Sequence, residues 1–251
     1  MFPKNRPLVS VVTVCFNEED RIRDTAESVV SQISNNYEWI IVDGGSTDNT
    51  LEVLKEYGDK IDVMISEKDS GVYNAMNKGI RASSGEFCIF INGGDKFYDK
   101  DAIEKFECEK EKADINYGGI YEINKVKNNV KVKFLQPVED YAYYLYHRCL
   151  PHQSTFISRK LLEELACYDE SYVVNSDWDF YSKAIVKNQS TVKHLSYIVS
   201  VFYFDGLSAH TKGSLANQEE SKKIRKKYFN LMFRIRLFVN ILISRLIGRN
   251  I

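Results

Sequence analysis

A chain of 251 residues suffices for one large α/β domain, and its composition, 44% hydrophobic and 27% charged, excludes a disordered protein. The net charge of -1 conceals an asymmetry: residues 221–251 carry nine Lys or Arg and no acid, leaving 25 basic against 35 acidic groups before them. An acidic body excludes a nucleic-acid-binding surface, which needs cationic contacts to phosphates.

Leu8 to Val14 is a short β-branched run, the pattern of a strand buried on both faces. Glu18 to Gln32 places Ile22, Ala26, Val29, Val30 and Ile33 at helical spacing. Trp39 to Val42 reads as a second strand, ended by Gly44 and Gly45, with Thr47 or Asp48 placed to cap a helix running to about Tyr57. Val63 to Ser66 is a third strand, Val72 to Ala82 a helix with Gly85 beyond its end, and Phe87 to Ile91 a fourth strand. Strands alternating with helices predict a parallel sheet covered on both faces. After Asp95 the texture changes. Strands over Ile115–Tyr121, Val130–Leu135, His152–Ile157 and Val192–Phe204, with helices near Arg159–Leu165 and Ser176–Val186, predict a mixed, partly antiparallel second half. The division expected is 1–97 for a nucleotide-binding half, 98–213 for an acceptor half of the same domain, and 214–251 for a basic tail.

Ligands of such sheets bind at the carboxyl ends of the strands. The residues there are Cys15-Phe16-Asn17-Glu18, Asp43-Gly44-Gly45-Ser46, Glu67-Lys68-Asp69 and Asn92-Gly93-Gly94-Asp95. All four end in polar or acidic groups, two of them beside glycine, and that convergence marks a candidate binding site.

Val9-Ser10-Val11-Val12-Thr13 with Phe16-Asn17-Glu18, then Ile41 to Asp48, Ser66 to Ile80 and Phe90 to Asp95, resemble four successive blocks of glycosyltransferase family 2. The order and spacing of the blocks make the resemblance specific, and it is nearest to the branch that builds bacterial exopolysaccharides. It implies a GT-A fold, α/β with a Rossmann-like mixed sheet, a nucleoside diphosphate sugar as donor, and Mg²⁺ or Mn²⁺. Asp43 matches the position that reads the nucleobase, commonly uracil; on the residues alone it is a turn Asp bonding its own backbone. Asp95 matches the metal-binding carboxylate, with Asn92 and Gly94 where further carboxylates often stand. Its metal then leans on donor phosphates, water and a further residue, for which His210 is a candidate. Gly93 and Gly94 allow close approach of a diphosphate. Asp69 either touches the nucleoside or shapes the loop before Gly71, while Phe16, Asn17 and Glu18 complete the donor side.

In the second half, Asp177 of Asn175-Ser176-Asp177-Trp178-Asp179 matches the general base, with Asp179 as the alternative and Trp178 as a candidate platform for an acceptor sugar. His152-Gln153 resembles a pair set near the acceptor or diphosphate. In the tail, Tyr228, Met232, Ile235, Val239, Leu242 and Leu246 recur at spacings of four and three, with basic residues largely opposite, a pattern expected to lie on a membrane surface. The other reading is a helix packed on the domain or on a partner subunit.

Five single cysteines without CxxC spacing suit free thiols in a reducing compartment. No apolar signal core precedes the first strand, and no apolar run reaches the roughly 18 residues that span a bilayer. The expectation is a cytoplasmic, peripherally membrane-bound enzyme using a nucleotide sugar, a UDP-sugar by the family resemblance, and a glycan or lipid-linked acceptor. The alternatives are a non-catalytic nucleotide- or glycan-binding relative and a nucleotidyltransferase, the latter disfavoured because no Gly-rich basic loop follows the first strand.

Overall fold

The computed structural model describes residues 6–124, 129–134, 136–203 and 214–233. Its framework is a mixed sheet that begins with β1 (Val9–Cys15), β2 (Tyr37–Asp43), β3 (Val63–Ser66) and β4 (Phe87–Phe90), all parallel, in the order β3-β2-β1-β4. Between these strands run α1 (Ile22–Val30), α2 (Thr50–Lys55) and α3 (Val72–Ala82). The sheet continues through β8 (Thr155–Ser158), β6 (Ile115–Asn124), β9 (Val192–Tyr203) and the two-residue β5 (Lys96–Phe97), with β7 (Asn129–Lys133) as a hairpin partner of β6. Antiparallel pairing enters at β4–β8, and the mixed second half follows as expected.

Side chains of a strand alternate between faces, so β1 and β2 feed two cores at once. Val12, Val14, Ile40 and Val42 enter one core together with Met76 and Ile80 of α3. Val9, Val11, Trp39 and Ile41 enter the other, with Ile22, Ala26 and Val29 of α1. Gly79 sets the first interface: a Cβ there would collide with the Val12 side chain, so only glycine lets α3 sit this close to β1.

Several elements differ from the sequence expectation. The first helix starts at Ile22, not Glu18, because the preceding turn is tied to its neighbour loop. Ser46 Oγ accepts from Asn17 N at 2.8 Å, Asn17 Oδ1 accepts from Thr47 N at 2.9 Å, and Thr50 Oγ1 accepts from Glu18 N at 2.8 Å. The strand expected from His152 begins at Thr155, after a 3₁₀ turn over His152–Ser154. The helix from Ser176 is α7 (Ser176–Tyr181), continued by a π-helical stretch over Ser182–Lys187. Three elements carried no sequence expectation: β5, α4 (Ala102–Glu107) and α5 (Tyr141–His147). α6 (Arg159–Glu164) lies where expected.

The tail is corrected more deeply. Its described part is α8 (Leu215–Tyr228), and the chain turns extended at Phe229, which breaks the apolar face drawn from Tyr228 to Leu246. α8 packs on the domain, with Ile224 and the following Phe229 buried in the first core. Ile235, Val239, Leu242 and Leu246 lie outside the described residues, as does His210. Among the described residues no helix is long and apolar enough to cross a membrane.

Candidate functional site

The carboxyl ends of β1 and β4 open onto a cavity of about 550 Å³. Phe16, Glu18, Asp69, Asn92, Gly93, Gly94, Asp95, His152 and Gln153 all line it, so most of the residues singled out in the sequence meet at one place. The strands carry the first-half residues there, and the 3₁₀ turn before β8 brings His152 and Gln153 from sixty residues away.

The turn after β4 is built to keep its backbone close to the cavity. Thr25 Oγ1 accepts from Gly94 N at 3.0 Å and donates to Asp95 O at 2.7 Å, pinning the turn to α1. Gly94 has φ +90°, and a Cβ there would meet the Arg21 guanidinium at 3.0 Å. Arg21 also lines the cavity and pairs with Glu18 at 2.7 Å. The sequence reasoning passed over Arg21; its spacing of three from Glu18, at the mouth of the first helix, was the available signal.

Asp95 is 6% exposed, and burial pushes its carboxyl up to about 7, against the pull of His152, a Gln153 hydrogen bond and Arg21. Such a group gains from a nearby cation. In the same turn Asn92 Oδ1 is buried with no hydrogen-bond partner among the described residues, an uncommitted hard oxygen of the type Mg²⁺ and Mn²⁺ take. The donor set therefore fits a divalent ion held by Asp95 and Asn92 and completed by ligand oxygens. No cluster of three His, Cys, Asp or Glu that could hold a metal alone occurs among the described residues.

His152 links the two halves. Its Nδ1 lies 3.2 Å from Asp177 Oδ2 and its Nε2 lies 3.4 Å from Asn92 Nδ2, which one tautomer satisfies, with the proton on Nδ1. Asp177 Oδ1 accepts from Trp178 N at 2.8 Å and lies 3.2 Å from the Tyr73 hydroxyl. Three elements thus orient one carboxylate at the start of α7, and 15% of its side-chain surface stays open.

Five of the expected residues do not line the cavity: Asp177, which instead touches the lining residues His152 and Tyr73, and the four that follow. Asp43 is fully buried, and its carboxylate accepts from Gly45 N, Ser46 N and Ser66 Oγ at 2.8–3.2 Å, the self-bonded turn weighed from sequence. Asp43 therefore shapes the loop that Gly44 packs against Asp69. Asn17, at φ +52°, stitches that loop to the end of β1. Trp178 is in the core, its Nε1 donating to Leu145 O at 2.6 Å. Asp179 is 4% exposed and is enclosed by Tyr172, Lys227 and Tyr228, a structural anchor and not a second base. The cavity also takes Tyr73, Val173 and Val174, whose apolar sequence context gave no sign of a site.

Comparison with known proteins bears on the family and the fold. The sequence model of glycosyl transferase family 2 matches residues 10–165. The PGL/p-HBAD biosynthesis glycosyltransferase of Mycobacterium bovis is 28% identical over 211 residues, covering 80% of this chain and 79% of that protein. The putative teichuronic acid biosynthesis glycosyltransferase TuaG of Bacillus subtilis is 40% identical over 103 residues, 40% of each chain. Among solved structures, S. aureus TarS 1-349 in complex with UDP-GlcNAc superposes with a TM-score of 0.68 at 18% identity, over 81% of this chain and 61% of that one. The mannosyltransferase PcManGT from Pyrobaculum calidifontis, in complex with GDP-Man and Mn²⁺, gives 0.60 at 16% identity, over 84% and 61%. The expected GT-A fold, a Rossmann-like mixed sheet with helices, is the fold shared with these neighbours.

Proposed function

The chain belongs to glycosyl transferase family 2, and from that premise we propose that it is an inverting enzyme moving a sugar from a nucleoside diphosphate, UDP in the first instance, to a glycan or lipid-linked acceptor of a surface polysaccharide. The observation that carries the reading is one cavity lined by Asp95 and His152, with the Asp177 carboxylate held against His152 at 3.2 Å. UDP-GlcNAc in TarS and the teichuronic acid and PGL/p-HBAD names of the relatives support the donor and acceptor classes.

In this reading the donor's diphosphate lies along the Asn92–Asp95 turn, whose glycines keep side chains out of its way. Phe16, 57% exposed at the end of β1, offers a ring to the nucleobase, and Asp69 on the opposite loop offers a carboxylate to the nucleoside. Asp95 and Asn92 would hold a Mg²⁺ or Mn²⁺ ion, which would supply positive charge to offset that of the departing diphosphate. Asp177 takes the acceptor's hydroxyl proton as that oxygen attacks the anomeric carbon opposite the leaving group. His152 and Tyr73 hold the Asp177 carboxylate in place, and Arg21 adds positive charge on the diphosphate side.

A thermal-shift screen of nucleotide sugars, with and without Mn²⁺, tests the donor assignment. A uridine diphosphate sugar raises the melting temperature, more so with Mn²⁺, because a ligand that binds only the folded state stabilises it by mass action. No shift with any nucleotide sugar overturns the reading.

We also propose peripheral attachment at the cytoplasmic face of the membrane, now resting on residues 234–251, since α8 is docked on the domain. A chain ending at 233 then loses co-sedimentation with anionic liposomes while retaining nucleotide binding. Equal sedimentation of the two chains sinks the membrane role. The deletion has to start after α8, because removing 221–251 would also strip contacts from α7.

A further inference from the structure

Helix α8 contacts the segment that carries Asp177 at three places. Glu220 is its central contact: Oε1 accepts from Val173 N at 2.6 Å, and Oε2 accepts from Val174 N at 3.1 Å and Asn175 N at 3.0 Å. Three consecutive backbone N–H groups converging on one carboxylate form an anion nest, here filled by the protein's own side chain. Lys227 and Tyr228 meet Asp179, two residues beyond Asp177, at 2.9 Å. Arg225 donates to Tyr146 O at 2.9 Å and lies 5.1 Å from the Trp178 ring.

The nest lies at the working part of the site. Val173 and Val174 line the cavity, Val174 O accepts from the Tyr73 hydroxyl at 2.5 Å, and Asn175 is the residue before α7. Asn175 makes no side-chain cap on α7, and the N–H groups that Glu220 binds all lie just before the helix, so Glu220 orders the entry to it. On the donor side, the Asn92–Asp95 turn is pinned by Thr25 of α1.

We infer that Glu220 is a positioning residue for catalysis, holding the 173–175 loop so that Asp177 meets the acceptor, and that α8 is a working part of the acceptor side. The inference rests on Asp177 being the base. Without the carboxylate three N–H groups lose their partner, the loop relaxes, and Asp177 shifts relative to the reacting oxygen. A displacement of about 1 Å costs on the order of 10²-fold in rate, so the effect falls on turnover and leaves nucleotide affinity alone.

The test compares wild type, Glu220→Ala, Glu220→Gln, Asp177→Asn and the Glu220→Ala/Asp177→Asn double variant, with Lys226→Ala as a surface control on α8. The readouts are UDP affinity by calorimetry and release of UDP from the UDP-sugar that the thermal-shift screen returns. Glu220→Ala lowers kcat at least tenfold with UDP affinity within twofold of wild type. Glu220→Gln, which keeps a carbonyl for Val174 and Asn175, is intermediate, and Lys226→Ala matches wild type. In the Asp177→Asn background, Glu220→Ala lowers turnover no further, which a merely structural role would not produce. Loss of UDP affinity in parallel with kcat, unchanged kcat in both Glu220 variants, or full additivity with Asp177→Asn overturns the inference. An active wild type with a silent Asp177→Asn and an unaffected Glu220→Ala rejects the positioning role alone, whereas a wild type that neither binds nor turns over a UDP-sugar rejects the donor reading.

Discussion

Asp95→Asn is expected to abolish sugar transfer and, in the same protein, to raise the stability of the unliganded fold. The first effect follows from its place in the turn. The side chain next to a departing diphosphate loses its charge, and removing one such electrostatic partner costs about 10²–10³ in kcat. The second follows from burial, which pushes the Asp95 carboxyl from the ordinary 3.8 up to about 7. A raised pKa means that the folded state holds a proton that the unfolded chain has released. Stability is therefore undiminished below about pH 4, falls as pH rises towards 7, and stays reduced above it. A shift of this size is worth a few kcal/mol, roughly 1.4 kcal/mol per unit. The unliganded wild type should melt at progressively lower temperature between pH 5 and pH 7.5, while Asp95→Asn shows a flatter profile and a higher melting temperature at pH 7.5. Mn²⁺ with the nucleotide should narrow that gap, since cation and proton compete for one carboxylate. Nucleotide-dependent Mn²⁺ affinity should correspondingly weaken below pH 7. A variant that keeps full activity, or that is less stable than wild type at pH 7.5, contradicts this account of the turn.

The second large effect is expected at Asp177. Asp177→Asn retains the size of the side chain and can still accept from Trp178 N, yet it cannot take a proton from the acceptor. General-base catalysis is worth about 10²–10⁴ in rate, so kcat falls by that order while UDP affinity stays near wild type. His152→Gln should fall less, because it removes one of the groups that orient the carboxylate and leaves Tyr73 and Trp178 N in place. Residues acting as one unit are strongly non-additive. The double variant should accordingly be no slower than Asp177→Asn alone. A His152→Gln variant slower than Asp177→Asn would shift the proton-accepting role to the imidazole, which lines the cavity directly. The pairing at 3.2 Å makes either residue's loss visible in the other's behaviour.

These expectations concern residues that the sequence exposes unequally. Asp95 follows a short apolar, buried strand and two glycines, so its position at a strand end was legible from local pattern. His152 and Asp177 were legible only as a family likeness, because nothing local to His152-Gln153 or Ser176-Asp177 states that the two side chains touch. Asp43 shows the reverse. Its likeness to a base reader is strong, and the carboxylate is nevertheless enclosed by Gly45 N, Ser46 N and Ser66 Oγ. A short acidic side chain before two glycines finds its own backbone first, and local hydrogen bonds of this kind form wherever the turn permits.

The basic tail divides at Tyr228. A helix forms over Leu215–Tyr228, ahead of the apolar face expected from Tyr228 onward, and which surface a helix meets is not a property of spacing. Lys223, Lys227 and Arg225 could have faced solvent or anionic lipid; the fold turns Lys227 to Asp179, Arg225 to Trp178 and Lys223 over Tyr172. Glu220, one acid among many in the composition, becomes the partner of three N–H groups only when α8 lies across the 173–175 loop.

What the sequence determined by itself is the parallel β1–β4 half, its two cores, and the strand ends where a ligand must sit, since periodicity of two and of 3.6 and glycine placement are local quantities. Tertiary structure alone decided which carboxylates remain available. Asp177 is joined to His152 and left partly open, Asp179 and Asp43 are enclosed, and Asp95 is buried until its charge is costly. The physical reason is that a carboxylate's chemistry depends on its desolvation and its partners, and both are set by segments far away in the chain.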